Sequence, residues 1–500
     1  MAEERDVMKD EFVTRGLDIE QIMDRAVVAA EAFRRLGQKE TDRIVEAVYK
    51  AGFKDRVRLA KLAREETKLG RWEDKAIKNT IATRFVFNDI KDQKTVGVIA
   101  DDPEQEVTEV AEPVGPIFAI TPVTNPTSTV LFKIIISMKS RNPIIIRPHG
   151  AAKDCSVEAA RVCYEAALQA GAPEDCIQWV RTSTRDEALA FMAHRKTALI
   201  LATGSVELVR AAYRSGTPAI GIGPGNVPVY IEKSADVPFA VEQILVSKTF
   251  DNGTVCASEQ AIVADRDNAD EVVAEFKKRK AYFLSEGEIE RLEPVVFNKE
   301  QKVMKVEVIG QPATVIAKMA GIKVPDDTTL LVAPLEEVGS QAPLSLEILA
   351  PILAFYVADD FEQAIRLCRQ INHHGGLGHT ASIFSRDEDR IEHFASAMNA
   401  GRILVNTPAS QGALGGTHNR LRPSLMLACG TSGKNTTTDN ISAKHLLNIH
   451  RIARRQVCPC VEQDFIENYL DESLDDVDIE RICRASQLEK RETAERPRDP

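Results

Sequence analysis

Between residues 115 and 223 short apolar runs alternate with helix-compatible segments. The runs are "GPIFAIT" (115–121), "PIIIR" (143–147), "ALILAT" (198–203) and "PAIGIG" (218–223), with helices expected from about Ser128, Asp154 and Val206. Strands linked through helices pair in parallel, because a parallel pair needs a crossover of a dozen or more residues. Such a series therefore predicts a parallel sheet covered by helices. A second series follows residue 256: "AIVAD", a helix near 268–280, "TLLVAP", "ILAFYVA", a helix at 361–371, "TASIFS", a helix at 387–398 and "RILVN". The fold class is α/β, with two α/β domains and Cys256 at their junction.

The flanking segments have other periods. From Asp18 to about residue 90 the pattern is helical, with Asp18 as a cap and Ile19, Ile22, Met23, Ala26 and Val27 on one face. Residues 94–112 form two β-rich runs around the turn-forming "DDPEQ", which predicts a hairpin. Residues 406–440 are rich in Gly, Ser and Thr, either a functional segment or a solvated loop. Beyond Arg455 the chain is acidic and helix-compatible, with Phe465, Ile466, Tyr469 and Leu470 clustered on one side.

With 500 residues and a net charge of −11, the chain suits neither a nucleic-acid backbone nor an anionic membrane, both of which reward clustered Lys and Arg. The charged start "MAEERDVMKDEF" and the lack of a long apolar run lead us to expect a soluble, cytoplasmic protein. Nine scattered cysteines fit a reducing compartment and read mostly as packed small hydrophobes. "CPC" at 458–460 lacks evident further ligands, so no metal site is expected.

Cys256 differs from the other cysteines in its setting, "FDNGTVCASEQ", where a thiol lies among small and polar residues between a helix and an apolar strand. Together with "ITPVTNPTST" (120–129), "LATGS" (201–205), "GIGPGNVPV" (221–229) and "LEILAP" (346–351), that segment resembles the aldehyde dehydrogenase superfamily in order and spacing. "GGLGHTASIF" and "RILVNTPASQG" are similar to its coenzyme A-acylating branch, including the first half of bifunctional aldehyde–alcohol dehydrogenases. The resemblance spans roughly residues 18–455.

It implies an aldehyde dehydrogenase-like fold of two Rossmann-like α/β domains plus a β-hairpin oligomerisation element. The dinucleotide-binding domain would be 1–245, with the hairpin at 94–112, and the catalytic domain 246–430. A return segment and oligomerisation strand at 431–455 and an acidic tail at 456–500 would follow. Cys256 would be the nucleophile, since an aldehyde releases hydride readily only after a nucleophile has added, and a thiolate does this best. Asn125 and the Cys256 backbone N–H would be the oxyanion donors, although Asn-Pro also starts turns.

No G-x-G-x-x-G fingerprint is present, so the cofactor site is carried over by resemblance alone, at Thr121, Pro122, Arg147, Gly204, Ser205, Gly223 and Glu347. Gly204 and Ser205 would meet the pyrophosphate at a helix N-terminus. Glu347 would accept hydrogen bonds from the nicotinamide ribose, or else be a solvated charge. Arg147-Pro148-His149-Gly150 replaces the Lys-Pro-x-Glu of many members, removing an acid that would repel a 2′-phosphate. Branch resemblance favours NAD over NADP.

Ile222 stands where hydrolytic members place the glutamate that activates water, so coenzyme A would resolve the acyl-enzyme. His379 would either assist the incoming thiol as a near-neutral imidazole facing the domain cleft or be structural.

The implied reaction is aldehyde + CoA + NAD⁺ to acyl-CoA + NADH + H⁺, with acetaldehyde as default and propionaldehyde or another small aldehyde as alternative. A rival of another class is an idle scaffold docking through its tail. A homo-oligomer is expected, served by a separate alcohol dehydrogenase or a compartment shell, in the cytoplasm or a bacterial microcompartment.

Overall fold

The computed structural model describes residues 18–181, 184–298, 303–455 and 463–494. Two parallel sheets organise it. The first has five strands in the order Ile177–Trp179, Ile144–Arg147, Ile117–Ile120, Leu199–Thr203 and Ala219–Ile222. Its earliest strand, Ile117–Ile120, lies in the middle. The chain moves outward through Ile144–Arg147 to Ile177–Trp179, then crosses back to Leu199–Thr203 on the opposite side. Open α/β sheets take ligands at such a reversal, in the crevice beyond the carboxyl ends of the two central strands.

The second sheet has seven parallel strands in the order Ala281–Phe283, Leu330–Pro334, Ile352–Ala358, Glu259–Asp265, Val227–Ile231, Ala381–Phe384 and Ile403–Val405. Because Val227–Ile231 belongs to it, the chain passes between sheets at residues 223–226, ahead of the boundary expected at 245. Pro228 hid this strand from sequence reading. It is accommodated where the register against Glu259–Asp265 shifts between Val227 and Pro228.

The expected inner strands, such as Ile117–Ile120 and Glu259–Asp265, are buried on both faces, as parallel strands covered by helices must be, whereas the edge strands Ala219–Ile222 and Ile403–Val405 are only partly buried. The helix Pro126–Lys139 is buried at every position, and its Val130, Ile134 and Met138 share a core with Ile117, Ile144 and Ile146. The first helix among the described residues, Ile19–Arg34, is capped as expected, with Asp18 accepting from the Gln21 N–H. Residues 406–440 are only in part a solvated loop: the helix Ala409–Leu414 is wholly buried, as are Ser424, Met426, Leu427, Ala428 and Cys429, whereas Thr417, His418 and Arg420–Arg422 are exposed.

Two compact units result, residues up to 95 with 112–448, and 96–111 with 449 onward. In the second, the antiparallel hairpin of Gly97–Asp102 and Val107–Pro113 is extended by Leu447–Ala453, and Arg451 pairs with Glu109 at 2.9 Å. Helices Gln463–Leu470 and Asp476–Ala494 complete it. Tyr469 and Leu470 are exposed, whereas the Phe465 and Ile466 side chains and "CPC" lie outside the described residues. Among the described residues no helix is long and apolar enough to cross a membrane, and no group of His, Cys, Asp or Glu could hold a metal ion.

Candidate active site

Cys256 occupies a turn ahead of the strand Glu259–Asp265, closed by the Ser258 N–H donating to Val255 O at 2.9 Å. The chain reaches it through a tight turn at Phe250–Gly253, in which Asp251 and Asn252 adopt left-handed backbone conformations (φ 50° and 51°). Such a conformation is uncommon for a residue with a Cβ and must be held by its surroundings. The Asp251 carboxylate holds it, accepting from the Arg71 N–H (2.7 Å), Lys75 Nζ (2.9 Å), Lys78 Nζ (2.6 Å) and the Thr254 hydroxyl (2.8 Å). Gly253, at φ 76°, has no room for a Cβ, which would lie 2.8 Å from Ala350 O.

Asn125 is brought to this turn. It caps the helix Pro126–Lys139, with proline at the first helical position, yet its side chain makes no capping bond. Instead Oδ1 accepts from Lys78 Nζ at 2.6 Å, and Nδ2 donates to Thr254 O at 3.2 Å and to the Thr124 hydroxyl at 3.1 Å. The amide thus bonds to the carbonyl of the residue two positions before the thiol.

Cys256 is partly exposed, whereas Cys155, Cys163, Cys176, Cys368 and Cys429 are buried free thiols, as expected of packed hydrophobes; Cys483 is disulfide-bonded. Desolvation, followed by the charge of Glu347, pushes the Cys256 thiol up to about 12, and the Arg402 guanidinium opposes the shift. Glu347 is half-buried and accepts from the Gly225 N–H at 2.9 Å, with desolvation raising its carboxyl to about 7. Gly225 in turn packs on the nucleophile's backbone, since a Cβ there would lie 2.3 Å from Cys256 O.

His379 departs from expectation. It is fully buried, with Nδ1 on the Thr380 hydroxyl at 2.9 Å. Desolvation and the neighbouring Arg402 depress it to about 3, so the near-neutral imidazole facing a cleft is corrected to a neutral, enclosed ring.

The other cofactor-assigned residues gather at the carboxyl edge of the first sheet. Thr121 donates its N–H to Arg147 O at 3.1 Å, Gly204 donates to Ile222 O at 3.2 Å, and Pro122 and Gly223 flank them in the chain. Ser205 caps the helix Val206–Arg214, accepting from the Leu208 N–H. The hydroxyls of Thr121 and Thr203, one residue beyond the paired Ile120 and Ala202, are buried without a hydrogen-bond partner among the described residues. A buried hydroxyl left unmatched costs free energy, and a polar ligand in the crevice would satisfy both.

Sequence reading missed Lys75, Lys78, Asp251 and Arg402. The first two lie one turn apart on the helix Trp72–Thr80, on its buried face, where a lysine pair would ordinarily be assigned to solvent. The available signal was their spacing in phase with the apolar Ile81 and Ala82 that follow.

The model of the Aldehyde dehydrogenase family matches residues 13–419. An aldehyde-alcohol dehydrogenase of Streptococcus pneumoniae is 45% identical over 405 residues, 80% of this chain and 46% of that protein. Bifunctional aldehyde-alcohol dehydrogenase AdhE of Escherichia coli is 40% identical over 447 residues, 89% of this chain and 50% of that one. The chain thus spans about half the length of the curated relatives it matches. Among solved structures, an acetylating aldehyde dehydrogenase from Geobacillus thermoglucosidasius superposes with a TM-score of 0.86 at 45% identity, covering 88% of this chain and 97% of that one. A propionaldehyde dehydrogenase from the Clostridium phytofermentans fucose utilisation bacterial microcompartment gives 0.78 at 28%, over 88% and 98%. Matched by the family pattern over residues 13–419 and by superposition at 45% identity, this chain belongs to the aldehyde dehydrogenase family.

Proposed function

We propose that the protein is an NAD-dependent, CoA-acylating aldehyde dehydrogenase with acetaldehyde as substrate. The Cys256 sulfur adds to the carbonyl carbon, and the resulting oxyanion is taken by Asn125 Nδ2 and the Cys256 N–H. NAD⁺, held along Thr121, Pro122, Arg147, Gly204, Ser205, Gly223 and Glu347, supplies the hydride acceptor. The chain is left with a thioester on Cys256, which the coenzyme A thiol resolves by attack at the same carbon, returning the cysteine sulfur.

The observation that carries this reading is Ile222. It ends the strand Ala219–Ile222, is 2% exposed, and packs in the core of the first sheet, so no carboxylate stands there to activate water. The acetylating activity named for the Geobacillus structure supports acetaldehyde, and the lower-identity propionaldehyde dehydrogenase supports a slightly longer aldehyde as the second reading. NAD rather than NADP, a homo-oligomer built on the hairpin sheet, and a separate alcohol dehydrogenase or shell as partner belong to the same proposal. So does a location in the cytoplasm or within a microcompartment.

Mixing enzyme, NAD⁺ and acetaldehyde without coenzyme A tests it. A burst near one NADH per competent site should be followed by near arrest, and coenzyme A should restart turnover. Steady turnover without coenzyme A would overturn the acylating reading in favour of a hydrolytic one.

A further inference from the structure

Lys78 is buried, and its ammonium has three acceptors for its three protons: Asn125 Oδ1 at 2.6 Å, Asp251 Oδ2 at 2.6 Å and the Thr254 hydroxyl at 3.1 Å. An ammonium has only donors, so the Asn125 oxygen must face it and the Asn125 amino group must face Thr254 and the cysteine turn. The orientation of the amide is fixed by chemistry.

Asp251 has three partners besides this second lysine. Its carboxylate is already matched by Lys75, the Arg71 N–H and Thr254, and Lys75 binds Thr124 O rather than Asn125. Burial pushes Lys78 down to about 8 while Asp251 holds it up, so it remains a cation at neutral pH. A buried cation is costly unless it is matched, and this one spends a short hydrogen bond on a neutral amide whose other end donates to Thr254 O, two residues before Cys256. A positive charge on the carbonyl end withdraws electron density from the nitrogen and makes Nδ2–H a stronger donor.

We propose that Lys78 is a positioning residue of the oxyanion hole, orienting the Asn125 amide and strengthening its donation to the oxygen of the tetrahedral intermediate without touching substrate. The inference rests on the reading of Asn125 as an oxyanion donor.

A double-mutant cycle on the full chain tests both, with the rate of the CoA-free NADH burst as readout. Asn125→Ala should slow the burst roughly a hundredfold. Lys78→Met, which leaves Asp251 paired with Lys75, should slow it by roughly ten- to a hundredfold, with NAD⁺ affinity, KM for aldehyde and stoichiometric alkylation of Cys256 unchanged. The double variant should be no slower than Asn125→Ala, because a residue acting through another has no effect once that other is gone. Lys78→Gln, an uncharged donor, replaces the methionine variant if the latter does not fold. It should recover part of the rate, by orienting the amide without charging it. Losses that multiply, or a Lys78 variant at the unmodified rate, would overturn the inference alone. An Asn125→Ala burst within a few-fold of the unmodified rate would overturn the reading of Asn125 and the inference with it.

Discussion

Gly225 donates its backbone N–H to Glu347 Oε1 at 2.9 Å, tying the linker between the two sheets to the loop before the strand Ile352–Ala358. That bond favours the ionised carboxylate, but desolvation outweighs it and raises the group from 4.5 to about 7. Between those values the unfolded chain releases the proton while the folded one keeps it, so stability falls as pH rises through the window. Glu259, raised to about 7 by burial, acts with the same sign. Glu347→Gln should therefore flatten, without abolishing, the decline in denaturant stability between about pH 5 and about pH 7. An unchanged slope would show that Glu347 ionises alike in both states.

Two glycines of that linker should respond oppositely to one added methyl. At Gly225 a Cβ would lie 2.3 Å from Cys256 O and 3.0 Å from His379 Cγ, so Gly225→Ala must displace the nucleophile's backbone. A loss of roughly 1–3 kcal/mol in stability and a large fall in kcat are expected. At Gly223 nothing lies within 4 Å of a Cβ, so Gly223→Ala should melt with the unmodified protein. If the dinucleotide passes over Gly223, KM for NAD⁺ should rise several-fold. Unchanged kinetics would remove Gly223 from the cofactor site.

Most of the framework was legible in the sequence because fully buried parallel strands are short continuous apolar runs, here bounded by Gly, Pro and polar residues. Ile117–Ile120, Ile352–Ala358 and their neighbours are of that kind. Ile177–Trp179 escaped because three residues, one of them Gln178, are too few to show a pattern, and Val227–Ile231 because Pro228 argues against a strand. At the site, Cys256 stood out by its setting. The pairing of Lys75 and Lys78 with Asp251 did not, since it joins residues more than 170 positions apart and only the folded chain shows that two lysines face inward. The near-neutral imidazole expected at His379 failed for the same reason: its ionisation depends on complete burial and on Arg402.

The thiol itself gives a direct reading of the electrostatics. With Cys256 pushed up to about 12, the thiolate is a minor species at neutral pH, and its population rises about tenfold per pH unit. Iodoacetamide should modify Cys256 at a rate that climbs log-linearly to about pH 10, while the buried Cys155, Cys163 and Cys368 stay unmodified in the folded protein. A plateau near neutrality would mean that nearby cations outweigh desolvation. Cys256→Ala should abolish NADH formation and leave NAD⁺ binding intact, because the nucleophile and the crevice beyond Thr121 and Thr203 belong to different sheets.

Ile222→Glu tests the proposed exclusion of water from the opposite direction. The side chain is 2% exposed and shares a core with Leu199, Leu201 and Ile220, and the Ile222 carbonyl receives the Gly204 N–H. A carboxyl placed there would be desolvated as Glu347 and Glu259 are, but without the hydrogen bonds and the nearby Lys248 that hold those two down to about 7, so it should titrate above them. It should therefore be protonated at neutral pH and unable to accept a proton from water. Burying it should cost about 2–4 kcal/mol of stability. The variant should melt lower, give an undiminished burst per folded site, and show no added CoA-independent turnover until about pH 8 or above, where the carboxyl begins to ionise. Steady hydrolysis at neutral pH would show that water reaches the thioester freely and that the identity of residue 222 alone selects coenzyme A.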